Sequence, residues 1–336
     1  MTHRERIHTA MRLGRPDRVP VMCQLSSGFI ERNAASPPDW KNAESAAEAV
    51  LSMRERFGFD GVLAIGMVPD KDKPADAPIK WVNHRGKEIA EIDPDDVAIK
   101  TDYSHDMAIQ RVIVAEGRIK GFSVHNDIPS PFDAFCFLTN LEHVLAGLML
   151  APNRCRLIIS KYVTQSYALA RALIDAGVDA LKISSPFAGS SFISRRHYTE
   201  FVVPYERELT TLIHAYSPET FVYTHTCGFI GDRLELMVST GIDGIECMDP
   251  PPLGDATLAD AKARIGSKVF LKGNMDSVNV LMGATPETLE GYVKAQISDG
   301  AGGGGYILSS ACSVAPEVDP KIIDLLVPLA EKYGRY

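Results

Sequence analysis

Residues 221–248, FVYTHTCGFIGDRLELMVSTGIDGIECM, hold the pattern that decides the fold. Residues 220–226 are β-branched and aromatic, which predicts a strand, and residues 244–248 predict a second apolar strand. Between them, residues 232–240 have the periodicity of an amphipathic helix. Short apolar strands joined by helices are typical of a parallel sheet that is covered on both faces. The stretch therefore predicts an α/β fold.

The same alternation extends along the whole chain. The predicted strands are 18–24, 61–65, 120–126, 179–184, 220–226, 244–248, 268–273 and 304–309. Eight strands separated by helices predict a single (β/α)8 TIM barrel, one domain over residues 1–336, with an N-terminal helix and a β-hairpin at 79–99 as elaborations. An open doubly wound sheet is the alternative, but no strand is followed by a Gly-x-Gly-x-x-Gly turn.

Composition narrows the classes of partner and compartment. The chain has 336 residues, 45% of them hydrophobic, and a formal net charge of −8. Without a basic block, nucleic acid is not expected as a partner. The polar N-terminus and the lack of a long apolar run predict no signal peptide and no membrane partner. The six cysteines are not spaced like a disulfide framework, which predicts a reducing cytoplasm. A homodimer is the usual expectation for a cytosolic protein of this kind.

Polar side chains gather where the predicted strands end. In a (β/α)8 barrel the active site forms at these carboxyl ends. The candidates for substrate binding are Gln24, Met67, Tyr223 and Asn274. The candidates for catalysis are His125, Glu246 and Asp276.

A metal site is the more specific hypothesis for the carboxyl ends of the strands, which form the rim of the barrel. His225 and Cys227 are two residues apart on a strand and therefore face the same way, and Cys312 follows the last strand. Imidazole and thiolate suit Zn²⁺, and three protein ligands with an open position form a catalytic zinc site. The alternative is that both cysteines are small buried hydrophobic residues and that His225 is a hydrogen-bonded core histidine.

Each neighbouring candidate has a second interpretation. Glu246 or Asp249 could supply a fourth ligand or be an ordinary rim carboxylate. Cys247 has the opposite strand parity to Glu246, so we expect it to point into the helix layer. The remaining cysteines, Cys23, Cys136 and Cys155, are expected to be structural.

Each of the other polar candidates could serve either in catalysis or substrate binding, or in the local structure of the chain. His125 and Asp127 could act as acid and base, or Asp127 could cap a helix. Asn274 and Asp276 could orient a substrate, or could serve the turn that follows their strand.

Several motifs together resemble the uroporphyrinogen decarboxylase superfamily over nearly the whole chain. They are Arg15-Pro16-Asp17-Arg18-Val19-Pro20-Val21, Ser184-Ser185-Pro186-Phe187-Ala188-Gly189, Tyr198-x-x-Phe201-x-x-Pro204-Tyr205, Gly273-Asn274-Met275-Asp276 and Cys312-x-x-x-Pro316-Glu317-Val318. The resemblance implies a single (β/α)8 barrel with its site at the carboxyl ends of the strands.

The sequence departs from the decarboxylases where they bind porphyrinogen carboxylates. Their loop after the first strand carries arginines, whereas residues 23–29 here contain none and the first to follow is Arg32. A second branch, the corrinoid-dependent methyltransferases, is more similar. That branch has His-x-Cys after the fifth strand and a cysteine after the eighth, and His225, Cys227 and Cys312 match these zinc ligands.

This second resemblance implies an activity and a partner. A zinc-dependent enzyme would move a methyl group between a corrinoid (cobalamin) and a small thiol or methyl ether, as a methyltransferase or O-demethylase. The chain has no Asp-x-His-x-x-Gly corrinoid motif, so the cofactor would come with a corrinoid-binding protein. The alternatives are a metal-independent decarboxylase (a carboxy-lyase) of a porphyrinogen-like substrate and a non-catalytic methyl-carrier accessory protein.

Overall fold

The computed structural model describes residues 1–68 and 82–336, in which seven parallel strands follow one another in chain order. The strands are β1 (Gly61–Ala64), β2 (Ser123–Pro129), β3 (Ala180–Ser184), β4 (Phe221–Thr226), β5 (Gly244–Cys247), β6 (Phe270–Met275) and β7 (Tyr306–Ser310). Each strand pairs in parallel with the next. This curled sheet with helices between its strands confirms the predicted α/β barrel fold.

Helices connect and surround these strands. In the described part of the chain they are α1 (His3–Met11), α2 (Ser27–Asn33), α3 (Ala43–Phe57), α4 (Ala108–Lys120), α5 (Pro131–Cys136), α6 (Leu141–Leu150), α7 (Pro152–Ala176), α8 (Arg195–Phe201), α9 (Val203–Tyr216), α10 (Leu234–Val238), α11 (Leu258–Ile265), α12 (Pro286–Gly300), α13 (Pro320–Ile323) and α14 (Leu326–Tyr333). None of the described helices is both long enough and apolar enough to span a lipid bilayer.

The segment predicted as the first strand joins the two edges of this sheet. Met22 N–H donates to the Leu308 carbonyl of β7 at 3.0 Å, and Asp60 N–H, just before β1, donates to the Val21 carbonyl at 2.9 Å. The segment nevertheless makes only isolated bridges and is not a regular strand. Pro20 explains this irregularity, because proline has no N–H to give to a ladder.

The barrel interior is apolar at its amino-terminal end. Phe221 and Tyr223 of β4 and Phe270 of β6 point inward and pack together, with ring centroids of Tyr223 and Phe270 5.6 Å apart. Helix α1 closes this end with Ile7 and Met11, both buried in the same cluster. These rings fill the barrel axis below the carboxyl ends of the strands.

The predicted hairpin at 79–99 is wrong over its described residues. Residues 79–81 lie outside the described part of the chain, and residues 82–99 form two short 3-10 helices, Ile89–Glu91 and Pro94–Asp96. Ile89 and Ile92 are both buried, and a spacing of three residues puts them on one side of such a turn. The apolar pattern that indicated a strand thus serves a helical turn.

A buried carboxylate, Asp60, ties the amino-terminal end of the barrel together. It accepts hydrogen bonds from Arg6 Nη1 at 2.6 Å, Arg18 Nη1 at 2.8 Å and the Val21 N–H at 2.8 Å. Burial would raise the pKa of Asp60, but hydrogen bonding by His3 and the charge of Arg18 outweigh burial and lower it. The Asp60 side chain thus connects α1, the segment 18–24 and the start of β1.

Replacing Asp60 by Asn should destabilise the protein strongly. The variant removes the buried counterion that Arg6 and Arg18 share and leaves them only the more exposed carboxylates of Asp17 and Glu331. Breaking a buried ion pair costs about 3–5 kcal/mol of unfolding free energy. Because the folded-state pKa of Asp60 is lowered, this contribution is complete above the ordinary carboxyl pKa and declines as the pH falls through the lowered one. Urea denaturation at neutral and acid pH measures both effects.

The matched control is Asp324→Asn, which removes a half-exposed partner of Arg56. Such surface pairs contribute about 0–1 kcal/mol. Equal losses of unfolding free energy in the two variants would contradict the role given to Asp60.

Candidate metal centre

His225 is the last inward-facing residue of β4, above Tyr223 and Phe221. Its Nε2 lies 3.2 Å from Cys227 Sγ and 4.0 Å from Cys312 Sγ. The two sulfurs are 3.9 Å apart and belong to free thiols. The strand ends thus bring together the three residues that the sequence singled out.

The spacing of these three atoms fits a tetrahedral metal ion. With metal–sulfur bonds of about 2.3 Å and metal–nitrogen bonds of about 2.0 Å, tetrahedral ligands are about 3.5–3.8 Å apart. The observed distances of 3.2, 3.9 and 4.0 Å bracket that range. An imidazole with two thiols is also a donor set for zinc and other thiophilic metals. The residues present therefore fit a metal centre.

Glu246 fixes the orientation of the histidine ring. His225 Nδ1–H donates to Glu246 Oε2 at 2.9 Å, which leaves Nε2 for the sulfurs. Burial would raise the pKa of Glu246, but Lys182, Lys272 and His225 outweigh burial and hold it well below its usual range. A carboxylate behind a metal-binding histidine sets its tautomer and strengthens it as a ligand.

Two buried lysines hold Glu246 in place. Lys182 Nζ lies 3.3 Å from Glu246 Oε2, and Lys272 Nζ binds Oε1 and donates to Ser309 Oγ at 3.2 Å. Burial would lower the pKa of Lys182, but the carboxylates of Glu246 and Asp127 raise it above its ordinary value. Sequence reasoning missed both lysines, although a lysine inside an apolar strand (DALKIS and KVFLKG) is a usable signal.

Cys247 lies in the cluster, contrary to the prediction that it faces the helix layer. Its thiol is buried, and ligand atoms of His225, Cys227 and Cys247 are all within 4.8 Å of one another. The reason is its backbone: Cys247 has φ +80° and Met248 has φ +54°, both left-handed. Strand alternation ends at such residues, so parity does not predict the direction of the side chain.

Comparison with known proteins places the chain in a family. A profile of the uroporphyrinogen decarboxylase (URO-D) family matches residues 2–333. The chain belongs to this family. Among curated relatives, the uroporphyrinogen decarboxylase of Mycobacterium sp. (strain KMS) is 26% identical over 95% of each chain. The methylcobamide:CoM methyltransferase MtbA of Methanosarcina mazei is 23% identical over 99% of this chain and 98% of its own.

Solved structures agree on the fold. A methyltransferase from Methanosarcina mazei superposes with a TM-score of 0.79, 17% identity and 99% coverage of both chains. A B12-independent methionine synthase from Shewanella sp. W3-18-1 gives a TM-score of 0.57 with 14% identity, over 94% of this chain and 97% of its own. Both comparisons support the barrel of this URO-D family member.

The cluster of His225, Cys227 and Cys312 faces the barrel mouth through its sulfurs. Cys227 and Cys312 are half-buried, whereas His225 and Glu246 are buried. Gln24, a predicted substrate-binding residue, lies beside them: its Nε2 donates to Ser313 Oγ at 2.7 Å, and its Oε1 accepts from Lys182. A reactant can therefore reach the thiols but not the far side of the histidine.

His125 and Tyr223 lie inside the barrel and not at its mouth. Neither is exposed, and the Tyr223 hydroxyl is 3.1 Å from His125 Nδ1. Burial, together with Lys272, lowers the pKa of His125 to about 3, so the ring is neutral. Their burial places both residues deeper than the sequence suggested, because strand parity gives the face of a residue but not its height. A catalytic His125 and a substrate-binding Tyr223 stay predictions.

Asn274 and Asp276 shape the loops behind the site. Asn274 Nδ2 donates to the carbonyls of Met248 at 2.8 Å and Ala256 at 3.0 Å, which fastens the loop after β5. Asp276 accepts from the Val278 and Asn279 N–H groups at 2.9 and 2.7 Å. These contacts are those of the structural alternative for both residues, and their roles in substrate binding and catalysis stay predictions.

The remaining rim candidates lie around the mouth. Met67 is 50% exposed and lines a cavity of about 190 Å³ with Gly66 and Asp127. The Asp127 side chain is 38% exposed and pairs with Lys182 at 3.1 Å, whereas the N-cap of the following helix α5 is Ser130. Asp249 accepts from the Gly228 N–H at 2.7 Å and so closes the loop that follows Cys227.

Replacing Tyr223 by Phe should lower stability without loss of metal binding. The variant leaves His125 Nδ1 buried without its hydroxyl partner, which costs about 1–3 kcal/mol of unfolding free energy. Urea denaturation and metal analysis of the same preparation measure the two properties. The control Tyr216→Phe removes a hydroxyl that binds Asp175 at an exposed site and should be nearly neutral. Loss of metal with unchanged stability would place Tyr223 at the site instead.

Proposed function

We propose that this protein is a zinc-dependent methyltransferase. It would transfer a methyl group between a corrinoid carried by a partner protein and a small thiol or methyl-ether substrate. The observation that supports this most is the position of His225 Nε2 opposite two thiols, with Nδ1 held by Glu246. The similarity to the methylcobamide:CoM methyltransferase of Methanosarcina mazei over 99% of the chain agrees with it.

The protein's own residues would hold zinc and present it to the mouth. His225, Cys227 and Cys312 are the ligands, and zinc when bound would lower the pKa of an acceptor thiol or polarise an ether oxygen. Glu246 keeps the imidazole in the tautomer whose Nε2 lone pair faces the sulfurs. The half-buried thiols leave one side of the cluster accessible to a methyl donor and acceptor.

Charge balance beneath the site supports this arrangement. Two thiolates neutralise a divalent ion, and the charges of Lys182 and Lys272 match those of Glu246 and Asp127. An unpaired charge in a barrel interior would be costly, and here Glu246 has both lysines as partners of opposite sign. Gln24 links Lys182 to Ser313, the residue after Cys312, and so stiffens the mouth.

Purified protein should contain about one zinc ion per chain, and Cys312→Ser should lose most of it. With methylcobalamin as donor and a panel of short alkyl thiols, or cob(I)alamin and aryl methyl ethers, the wild type should change the cobalamin absorbance spectrum. Cys155→Ala, which removes a buried thiol of α7, is the matched control and should retain both metal and activity. Protein that is folded, free of metal and inactive toward cobalamin would refute the proposal.

A metal-independent decarboxylase is the second candidate. The 26% identity to the mycobacterial uroporphyrinogen decarboxylase favours it. A decarboxylase of this kind would need arginines after the first strand to bind the carboxylates of its substrate. The first arginine of that region, Arg32 on α2, is exposed and lies 3.7 Å from Glu317, which counts against this candidate. Release of carbon dioxide from a porphyrinogen by Cys312→Ser as fast as by the wild type would support this second candidate. If neither activity occurs but methylcobalamin binds, the protein is a methyl-carrier accessory protein.

Glu246→Gln should weaken zinc binding about 10–100-fold, the usual effect of losing the partner of a metal-binding histidine. The amide keeps the shape of the side chain but removes the charge that His225 and both lysines require. Competition with a chromophoric chelator measures the affinity, and thermal unfolding of the metal-free forms reports any general loss of stability. Glu290→Gln, which changes an exposed partner of Lys332, is the control. An unchanged zinc affinity would show that Glu246 does not position the ligand.

A further inference from the structure

Two buried carboxyl groups outside the barrel have no role in the function proposed so far. Asp133 is on α5 and Glu206 is on α9, and both side chains are almost fully buried. One oxygen of each, Asp133 Oδ1 and Glu206 Oε2, has no hydrogen-bond partner among the described residues. A buried carboxylate without a cation is costly, so this placement favours the protonated form. Burial accordingly raises the pKa of both groups to about 7.

The hydrogen bonds between these groups need a carboxyl proton. Ser185 Oγ lies 3.0 Å from Glu206 Oε1 and 3.0 Å from Ser130 Oγ, and Ser130 Oγ already accepts from the Asp133 N–H at 2.9 Å. A serine hydroxyl has one proton and cannot donate to both neighbours at once. With a proton on Glu206, the carboxyl donates to Ser185 and Ser185 donates to Ser130, so that both short contacts become hydrogen bonds.

The nearest charged side chain does not neutralise the pair. Tyr198 of α8 brings a buried hydroxyl whose pKa is raised well above its ordinary value by burial and by nearby Glu206. Arg233 lies over the Tyr198 ring at 5.1 Å, but its Nη1 donates to the carbonyls of Ala188 at 2.5 Å and Ile193 at 3.3 Å. The guanidinium therefore binds backbone and not a carboxylate of the pair.

The titratable groups that α7 turns toward α5 and α9 are also neutral or already paired. Burial raises the pKa of Cys155 and Tyr162 on α7 to about 12, and it raises the pKa of Cys136 on α5. Arg156 of α7 pairs with Glu200 at 3.5 Å. The two carboxyl groups thus lie in a region where a proton is their available source of neutrality.

Residues 185–193, here called the β3 loop, connect this pair to the strand end that carries two candidate metal ligands. Ser185 N–H donates to the His225 carbonyl at 2.8 Å. Gly189 lies so close to Cys227 that an added Cβ would be 2.6 Å from the Cys227 carbonyl oxygen. A movement of the β3 loop would therefore change the backbone position of Cys227.

We propose that Asp133 and Glu206 are a pair of neutral carboxyl groups that positions the β3 loop beside Cys227, and that loss of their protons to solvent loosens the loop. Two ionised carboxylates at this depth would repel each other without a counterion, and Ser185 would have to donate to Glu206 and release Ser130. Both are positioning residues, since they act on the metal-binding strand through the loop. This coupling depends on neither the metal nor the substrate.

Glu206→Gln tests the proton, because its amide is neutral at every pH and can donate to Ser185. Between about pH 4 and pH 7 the folded wild type holds protons that the unfolded chain has released, so its stability falls as the pH rises. In urea denaturation, the unfolding constant of the wild type relative to that of Glu206→Gln should rise up to about tenfold per pH unit and level off above pH 7. Glu208→Gln, exposed on the same helix, should follow the wild type. A pH-independent ratio would refute the neutral pair. If Glu206→Gln fails to fold, an infrared spectrum of the wild type at about pH 6 without protonated carboxyl absorption would refute it.

Amide hydrogen exchange tests the link to the β3 loop. After correction for the intrinsic effect of pH on exchange, peptides that cover residues 185–193 should lose protection in the wild type between about pH 6 and pH 8. The same peptides of Glu206→Gln should keep their protection, and those of Glu208→Gln should lose it. Equal protection of the wild type at both pH values would refute the coupling. Protein that shows this loss of protection but binds no zinc would support the carboxyl pair and refute the proposed function.

Discussion

The carboxylate of Glu246, fully buried in the middle of the barrel, is the charge around which the site is arranged. A lone carboxylate there would be protonated or would destabilise the fold, since burial penalises the charged form. His225, Lys182 and Lys272 surround it from the two strands on either side of β5 and from β3. Because each partner also needs Glu246, the four side chains fix one another, and the orientation of the His225 ring is a consequence of this network.

The network is possible because the barrel interior has two chemically different halves. At the amino-terminal end, Phe221, Tyr223 and Phe270 exclude water from below, and α1 closes the opening. On the same inward faces, two residues further along β4 and β6, stand His225 and Lys272. An apolar base makes the charged layer above it less screened, which strengthens each ion pair.

The sequence predicted the elements and their ends better than the depth and direction of side chains. The parallel sheet followed from apolar runs between helices, and the rule that sites form at carboxyl ends brought His225, Cys227 and Cys312 together correctly. Periodicity could not show that His125 lies below the site or that left-handed residues turn Cys247 inward. It also could not show that Lys182 and Lys272 both pair with Glu246 inside the barrel. These features depend on strand stagger and backbone angles, which a single sequence does not encode locally.

The asymmetry of the cluster determines where chemistry can occur. His225 is backed by Glu246 and two lysines, so nothing can approach it from that side, whereas Cys227 and Cys312 are half-buried toward the mouth. The buried contacts of Glu246 therefore make its side of the cluster the most constrained, and a reactant can approach only from the side of the two half-buried sulfurs.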